Sequence, residues 1–345
     1  MPLTLVREDL PALEQGFAML GSGGGGSAHL TSLMLDRSAS WPILVHAVTE
    51  VDLLAPCIAV GYGGATLLLE ERLPGDDPFG TSIAAVERWL GVESSVVCTI
   101  EGAGVNGLAS LHMSGTRQVV DADCMGRALP DLDQISLLID ALPDLVVATP
   151  TGAGGVAIVH AARPEDVERV LRPAIECNGG WAGLAIGGFQ VGDLVSHAIL
   201  DGLARALSLG RAMQGAVSLE PAALAEGVNG DLLGVGRIVE ARSEPGRPGL
   251  TSFDLRTREA DVLRLVARSE LLALVRNGVT MASTPTVIVA LDATTRVVLA
   301  VDELAVGKDV IVISLPAAAW WFDDPWRLQR ARPQNWGIDG LERSR

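Results

Sequence analysis

Lysine is almost missing from this chain of 345 residues: Lys308 is the only one, and every other basic residue that is not histidine is an arginine. A Walker phosphate loop needs a lysine beside its glycines, so that mode of nucleotide binding is excluded, and a Schiff-base mechanism would have to use Lys308, in a turn of a strand-rich stretch. Positive charge is scarce as a whole. The net charge of -16 sets up a field that repels phosphate backbones and anionic lipid, so neither nucleic acid nor a membrane is an expected partner and a small molecule is. Only four cysteines occur, Cys57, Cys98, Cys124 and Cys177, without C-x-x-C or finger spacing, which indicates free thiols rather than a disulfide framework or a zinc ribbon. His112, His160 and His197 are not at metal-ligand spacing either. No stretch reaches the roughly 20 uninterrupted apolar residues of a membrane span, and the opening MPLTLVREDLPAL lacks a basic segment followed by an apolar run. A cytoplasmic location is the expectation.

What the chain does have is apolar content, 48% against 20% charged, enough for the cores of two domains. Leu10, Leu13, Phe17 and Leu20 follow helical spacing from Asp9, and Ser27 caps a second helical pattern running to Asp36. Short apolar strands (Ile43–Ala47, Cys57–Val60, Val96–Ile100, Gln118–Asp121, Asp144–Ala148, Val156–His160) alternate with helical stretches (Ser82–Leu90, Glu165–Glu176, Val191–Met213). After about Asn229 the texture changes to β-branched runs between turns: Val235–Ala241, Thr286–Leu291, Val297–Val301 and Val310–Leu315. The fold expected is α/β: a mixed, layered α/β catalytic domain over residues 1–228, then a smaller, mainly β domain over 229–345 with a tryptophan-rich tail. Trp320, Trp321, Trp326 and Trp336 fit a tail packed on its own domain, or an oligomer or domain interface, which leaves a homo-oligomer open.

Three segments carry chemistry. Gly21, Gly23 and Gly26 match G-x-G-x-x-G, but behind a helix rather than a strand, so a dinucleotide site is rejected. The consecutive glycines Gly23, Gly24 and Gly25 can still offer free N–H groups to an anion or carbonyl; a flexible connector fits equally well. Glu101 and Asn106 surround glycines at the end of the strand Val96–Ile100, and Glu70, after Leu67-Leu68-Leu69, marks a third acidic strand end. The segment Asp121-Ala122-Asp123-Cys124-Met125-Gly126-Arg127 crowds two carboxylates, a thiol and a guanidinium at one strand terminus. In an extended chain Asp121 and Asp123 share a face and Cys124 takes the other, so joint action requires the strand to end near Asp123. The acids would raise the thiol pKa and Arg127 would lower it.

Taken in order, Leu20-Gly21-Ser22-Gly23-Gly24-Gly25-Gly26, Gly63-Gly64-Ala65-Thr66 through Glu70, Glu101-Gly102-Ala103-Gly104-Val105-Asn106 and Val120-Asp121-Ala122-Asp123-Cys124-Met125-Gly126-Arg127-Ala128-Leu129-Pro130 resemble the S-methyl thiohydantoin desulfurase family. The last stretch is the specific one. Ala65 stands where a proline is more usual. The resemblance implies a hydrolase-like enzyme that removes sulfur from a five-membered heterocycle to leave a hydantoin. On that footing Cys124 is the expected nucleophile on the carbon between the two ring nitrogens. Asp121 and Asp123 would move protons, Glu101 and Asn106 grip the ring, Arg127 pair with a substrate carboxylate or the thiolate, and the glycine loop hold developing charge. No cofactor is needed for this. A divalent metal on Asp121, Asp123, Glu101 and a histidine that activates water for hydrolysis of a cyclic amide is the rival chemistry, and a non-catalytic partner subunit of a hydantoinase-type enzyme is the rival role.

Overall fold

The computed structural model describes residues 2–244, 247 and 249–338, with the side chains of Leu67 and Glu70 outside the described set. A first, nine-stranded sheet is built from β1 (Leu3–Leu5), β2 (Ile43–His46), β3 (Pro56–Gly64), β4 (Val96–Thr99), β5 (Gln118–Asp123), β6 (Val146–Pro150), β7 (Val156–Val159), β8 (Trp181–Gln190) and β9 (Ile199–Leu200). Its order is β1-β2-β5-β4-β3-β8-β6-β7, with β9 paired to β5. The central strands β2, β5, β4 and β3 run parallel and the flanking pairs antiparallel. Both faces are covered, which is why β3 and β4 read as near-continuous apolar runs. Ile58, Val60, Val97 and Val119 point into one core with the helix Leu10–Leu20; Cys57, Ala59, Val96, Cys98, Val120 and Ala122 point into the other.

The second sheet has seven antiparallel strands: β10 (Asp231–Ser243), β11 (Thr251–Arg256), β12 (Val262–Ala267), β13 (Leu271–Arg276), β14 (Val279–Ser283), β15 (Val287–Asp292) and β16 (Asp309–Leu315). They are ordered β14-β13-β12-β11-β10-β16-β15. A mixed α/β part is thus followed by a smaller, strand-rich one. Among the described residues no helix is long and apolar enough to cross a membrane.

Four readings change. Val191–Met213 is two helices, Val191–His197 and Gly202–Ala216, split by the short β9, because Asp201 takes a left-handed turn (φ 60) that interrupts the helix. The strand Trp181–Gln190, half glycine and alanine, has too few β-branched residues to stand out, yet it pairs with both β3 and β6. Val297–Val301 forms no strand beyond a single bridge from Val298 to Leu291. Thr66–Glu71 is a short helix, so Glu70 does not end a strand, and its side chain lies outside the described residues.

The tail crosses back onto the α/β part. Trp321 Nε1 donates to the Met125 carbonyl at 3.0 Å, Trp320 Nε1 to that of Ser196 and Trp336 Nε1 to Asp131 Oδ2. These three rings are buried, while Trp326 is 48% exposed. The tail therefore packs on both parts, since the same rings share a core with Leu250, Val266 and Leu272 and the Ala331 carbonyl accepts from Thr284 Oγ1.

Candidate active site

The site is made where β4 and β5 end side by side. Thr99 is paired with Asp123, and the Cys124 N–H donates to the Ile100 carbonyl at 3.1 Å, which sets Glu101 beside the end of β5. Period-two alternation sends Asp121 and Asp123 to one face and Cys124 to the other. Asp123 stops the strand: its Oδ1 accepts from the N–H groups of Met125 (2.8 Å) and Gly126, and Gly126 turns with φ +72. The other oxygen, Oδ2, is buried without a hydrogen-bond partner, and so is Glu101 Oε1. Burial raises the pKa of both groups. For Asp123 the N–H donors of Gly126, Met125 and Gly102 oppose the rise, whereas Glu101, also facing Glu270 and Asp123, is pushed well above the usual carboxylate range.

Asp121 does different work. Its carboxylate accepts from the N–H groups of Leu203 (2.7 Å) and Ala204 (3.0 Å) and so caps the helix Gly202–Ala216, with burial raising its pKa to about 6. Between the two aspartates lies a cavity of about 10 Å³, lined in part by Thr99, Gly102 and Gly202, which is room for about one water.

Over the strand ends sits the glycine loop, and it is a bridge rather than a flexible connector. The Ser22 carbonyl accepts from Leu271 N–H and that of Gly23 from Val301 N–H, both at 2.8 Å, while Ser22 Oγ donates to Ile288 O at 2.7 Å; all three partners belong to the β part. On the other side the Gly25 carbonyl accepts from Val105 N–H. Gly23, Gly25 and Gly26 all have positive φ, which side-chain-bearing residues rarely adopt. Their N–H groups have no acceptor among the described residues. A Cβ on Gly25 would lie 3.1 Å from Glu101 Oε1, and one on Gly24 would overlap the Glu270 carboxylate.

Glu270 is a site residue that the sequence did not reveal. It stands in the turn between β12 and β13, buried, with its pKa raised to about 6 chiefly by desolvation. A single acid in a turn between two apolar strands looks like any solvated loop residue. Only the docking of the two sheets buries it against the glycine loop.

Three expected roles are corrected. Cys124 is fully buried, in an apolar layer shared with Cys57 and Cys98. Its hydrogen bond with the Cys98 thiol, together with burial, holds its pKa well above the ordinary thiol value. It is therefore not open to a ligand, as the expected nucleophile would have to be; Cys177, at the end of the helix Pro164–Cys177, is the exposed cysteine. Arg127 does not face Cys124. Its Nε donates to Ala128 O (2.8 Å), Nη1 to Thr286 O (2.6 Å) and Nη2 to Leu271 O (3.2 Å), so the guanidinium ties the two parts together. Burial lowers its pKa to about 10 against the opposing pull of Glu270 and Glu101. Asn106 spends its amide on the Tyr62 backbone, accepting at Oδ1 (2.5 Å) and donating from Nδ2 (3.0 Å), which leaves it positioning β3 rather than free to grip a ring. Among the described residues no group of three or more His, Cys, Asp and Glu side chains is arranged to hold a metal ion.

Two buried carboxyls with unsatisfied oxygens thus stand at adjacent strand ends of an α/β part, one of them against the glycine loop that bridges to a β part. The chain belongs to the S-Me-THD-like family: residues 8–161 match the model of its N-terminal domain and residues 162–342 that of its C-terminal domain. No curated protein matches the chain. Among solved structures it is similar to the X-ray crystal structure of a protein from Chromobacterium violaceum, at 24% identity and a TM-score of 0.78 over 99% of each chain, a likeness of fold.

Proposed function

We propose that the protein removes sulfur from a thiohydantoin or S-methyl thiohydantoin ring, leaving the hydantoin, by carboxylate acid–base catalysis of water attack rather than through a cysteine. The carrying observation is the pair of unpartnered oxygens, Glu101 Oε1 and Asp123 Oδ2, at adjacent strand ends, with the glycine loop packed against Glu101. A ring that alternates N–H donors and acceptors would satisfy both carboxyls and loop. The two acids differ in environment, and that difference supports separate roles for them. Asp123, held down by backbone donors, is the group more readily ionised and takes a proton from the attacking water; Glu101, kept neutral by burial and by Glu270, gives one to the departing sulfur. Water oxygen bonds to the carbon between the ring nitrogens, the carbon–sulfur bond breaks, and methanethiol or hydrogen sulfide leaves. The one-water cavity beside Asp123 is where that nucleophile would wait, and a ring larger than it requires the seam to widen.

The test is a screen of thiohydantoins, S-methyl thiohydantoins and hydantoins that reads thiol release separately from ring opening. Thiol release is expected, falling about a hundredfold or more in Glu101→Gln and Asp123→Asn and staying within a few fold in Cys124→Ala. A folded Cys124→Ala protein without thiol release would return the chemistry to the cysteine. Ring opening of hydantoins without any thiol release would make the protein a cyclic amidase.

A further inference from the structure

Away from the seam, a cleft of about 620 Å³ opens between β9, the helix Gly202–Ala216 and the tail, with Ile199, Arg205, Ala318, Trp320, Asp323 and Arg327 among its walls. That size suits a small ligand. Its two arginines are not equivalent. Arg327 is spent: Nε and Nη2 hold Asp140 at 2.9 and 2.6 Å, and the guanidinium lies 4.3 Å over the Trp320 ring. Asp140 also binds His197 Nδ1 at 2.7 Å. Arg205 is not spent. Only its Nη2 has a hydrogen-bond partner among the described residues, the Pro316 carbonyl at 2.6 Å, leaving the Nε and Nη1 donors of a half-buried cation unused. A cation held partly out of water with donors to spare is an incomplete site for an anion. Much of the remaining wall, Val195, Ala198, Ile199, Leu200 and Ala318 among it, is aliphatic and asks for an apolar body. Charge sets an upper limit too: Asp123 interacts with Arg205 from behind and Asp323 stands exposed at the rim, so a dianion would be opposed where a monoanion is accommodated.

We infer that this cleft is a binding site for a small organic carboxylate, its anion on Arg205 and its apolar portion against Ile199 and Ala318. The cleft backs onto the active-site turn, since the nearest neighbours of a Cβ on Gly126 would be Ala318 and Ile199. Occupancy therefore places a negative charge close to Asp123 without touching it, whatever reaction the seam performs.

Benzoate and its neutral analogue benzamide, titrated into the whole protein by calorimetry, test the site without any need for turnover. Saturable benzoate binding is expected, with benzamide at least about tenfold weaker, the worth of one charge-assisted pair. Arg205→Met should weaken benzoate to the benzamide level, and Arg205→Lys should recover part of it. Equal affinity for the two probes, or no saturable benzoate binding, overturns the inference on the native protein alone, even should Arg205→Met fail to fold. Benzoate binding unchanged in a folded Arg205→Met protein overturns it as well.

Discussion

At the scale of single residues, the deciding fact is which face of β5 each side chain takes. Cys124 lies one position past Asp123, and that single step moves it from the carboxylate side into the layer of Cys57 and Cys98. Iodoacetamide should accordingly modify Cys177 first and leave Cys124 unreacted until the protein unfolds, the reverse of what an activated nucleophile would do; peptide mapping after brief labelling reads this directly. Replacement also has a signature in stability. Cys124→Ala leaves a small void worth about 1 kcal/mol, whereas Cys124→Ser buries a hydroxyl beside Cys98 and Ser136 in a mostly apolar layer at about 1–3 kcal/mol, so the serine variant should melt lower than the alanine one. Glu270 titrates in the other direction from a surface acid. Its folded pKa, about 6, exceeds the ordinary 4.5, so the native state binds this proton more tightly than the unfolded chain. The stability this contributes is complete below about pH 4.5 and is lost as pH rises through 6. Glu270→Gln should flatten that part of a thermal-melt profile taken from pH 4 to 7, and an unchanged slope would show the carboxyl to be more solvated than its burial implies.

At the scale of elements, Gly24 and Gly25 do what the strands cannot: they bring backbone, without side chains, between Glu101 of the α/β part and Glu270 of the β part. Gly25→Ala adds a Cβ at φ +72, beside Glu101 Oε1, and the backbone strain alone is about 1–2 kcal/mol. We expect a modest fall in melting temperature and a much larger fall in thiol release, because the displaced atoms are the proposed acid and the roof above it. Gly202→Ala is the matching probe on the other side, where the new Cβ would meet Asp123 Oδ2 and close the one-water cavity. Activity that survived in Gly202→Ala would mean the attacking water arrives elsewhere.

At the scale of the whole molecule, the α/β and β parts share one apolar core, in which Val287, Val289, Ile311 and Ile313 pack with the helix Leu10–Leu20, and they are tied further by Arg127, the glycine loop and the tail tryptophans. Trp321, fully buried with its indole N–H on Met125 O, sits directly under the active-site turn. Trp321→Ala should cost about 3–5 kcal/mol, lowering the melting temperature of the α/β part even though the residue lies far beyond it in sequence. A melt unchanged by the substitution would place the tail's contribution elsewhere.

Much of the fold is legible in the chain alone. Apolar periodicity located most strands of the first sheet, the change to β-branched texture after Asn229 marked the second, and the ordered motifs from Gly21 to Pro130 carried the family resemblance. It also indicated that Asp121 and Asp123 share a face, since alternation along a strand is a local property. What it could not hold was anything set by the approach of distant segments. Glu270 becomes a site residue only because β12 and β13 dock their turn against the glycine loop. Asn106 and Arg127 lose their freedom because carbonyls and amides from remote strands claim their donors and acceptors. Cys124, whose neighbours in sequence suggested reactivity, is silenced by neighbours in space. Local sequence fixes which side a residue faces; desolvation and hydrogen-bond satisfaction, which depend on everything packed against that side, decide what it can do there.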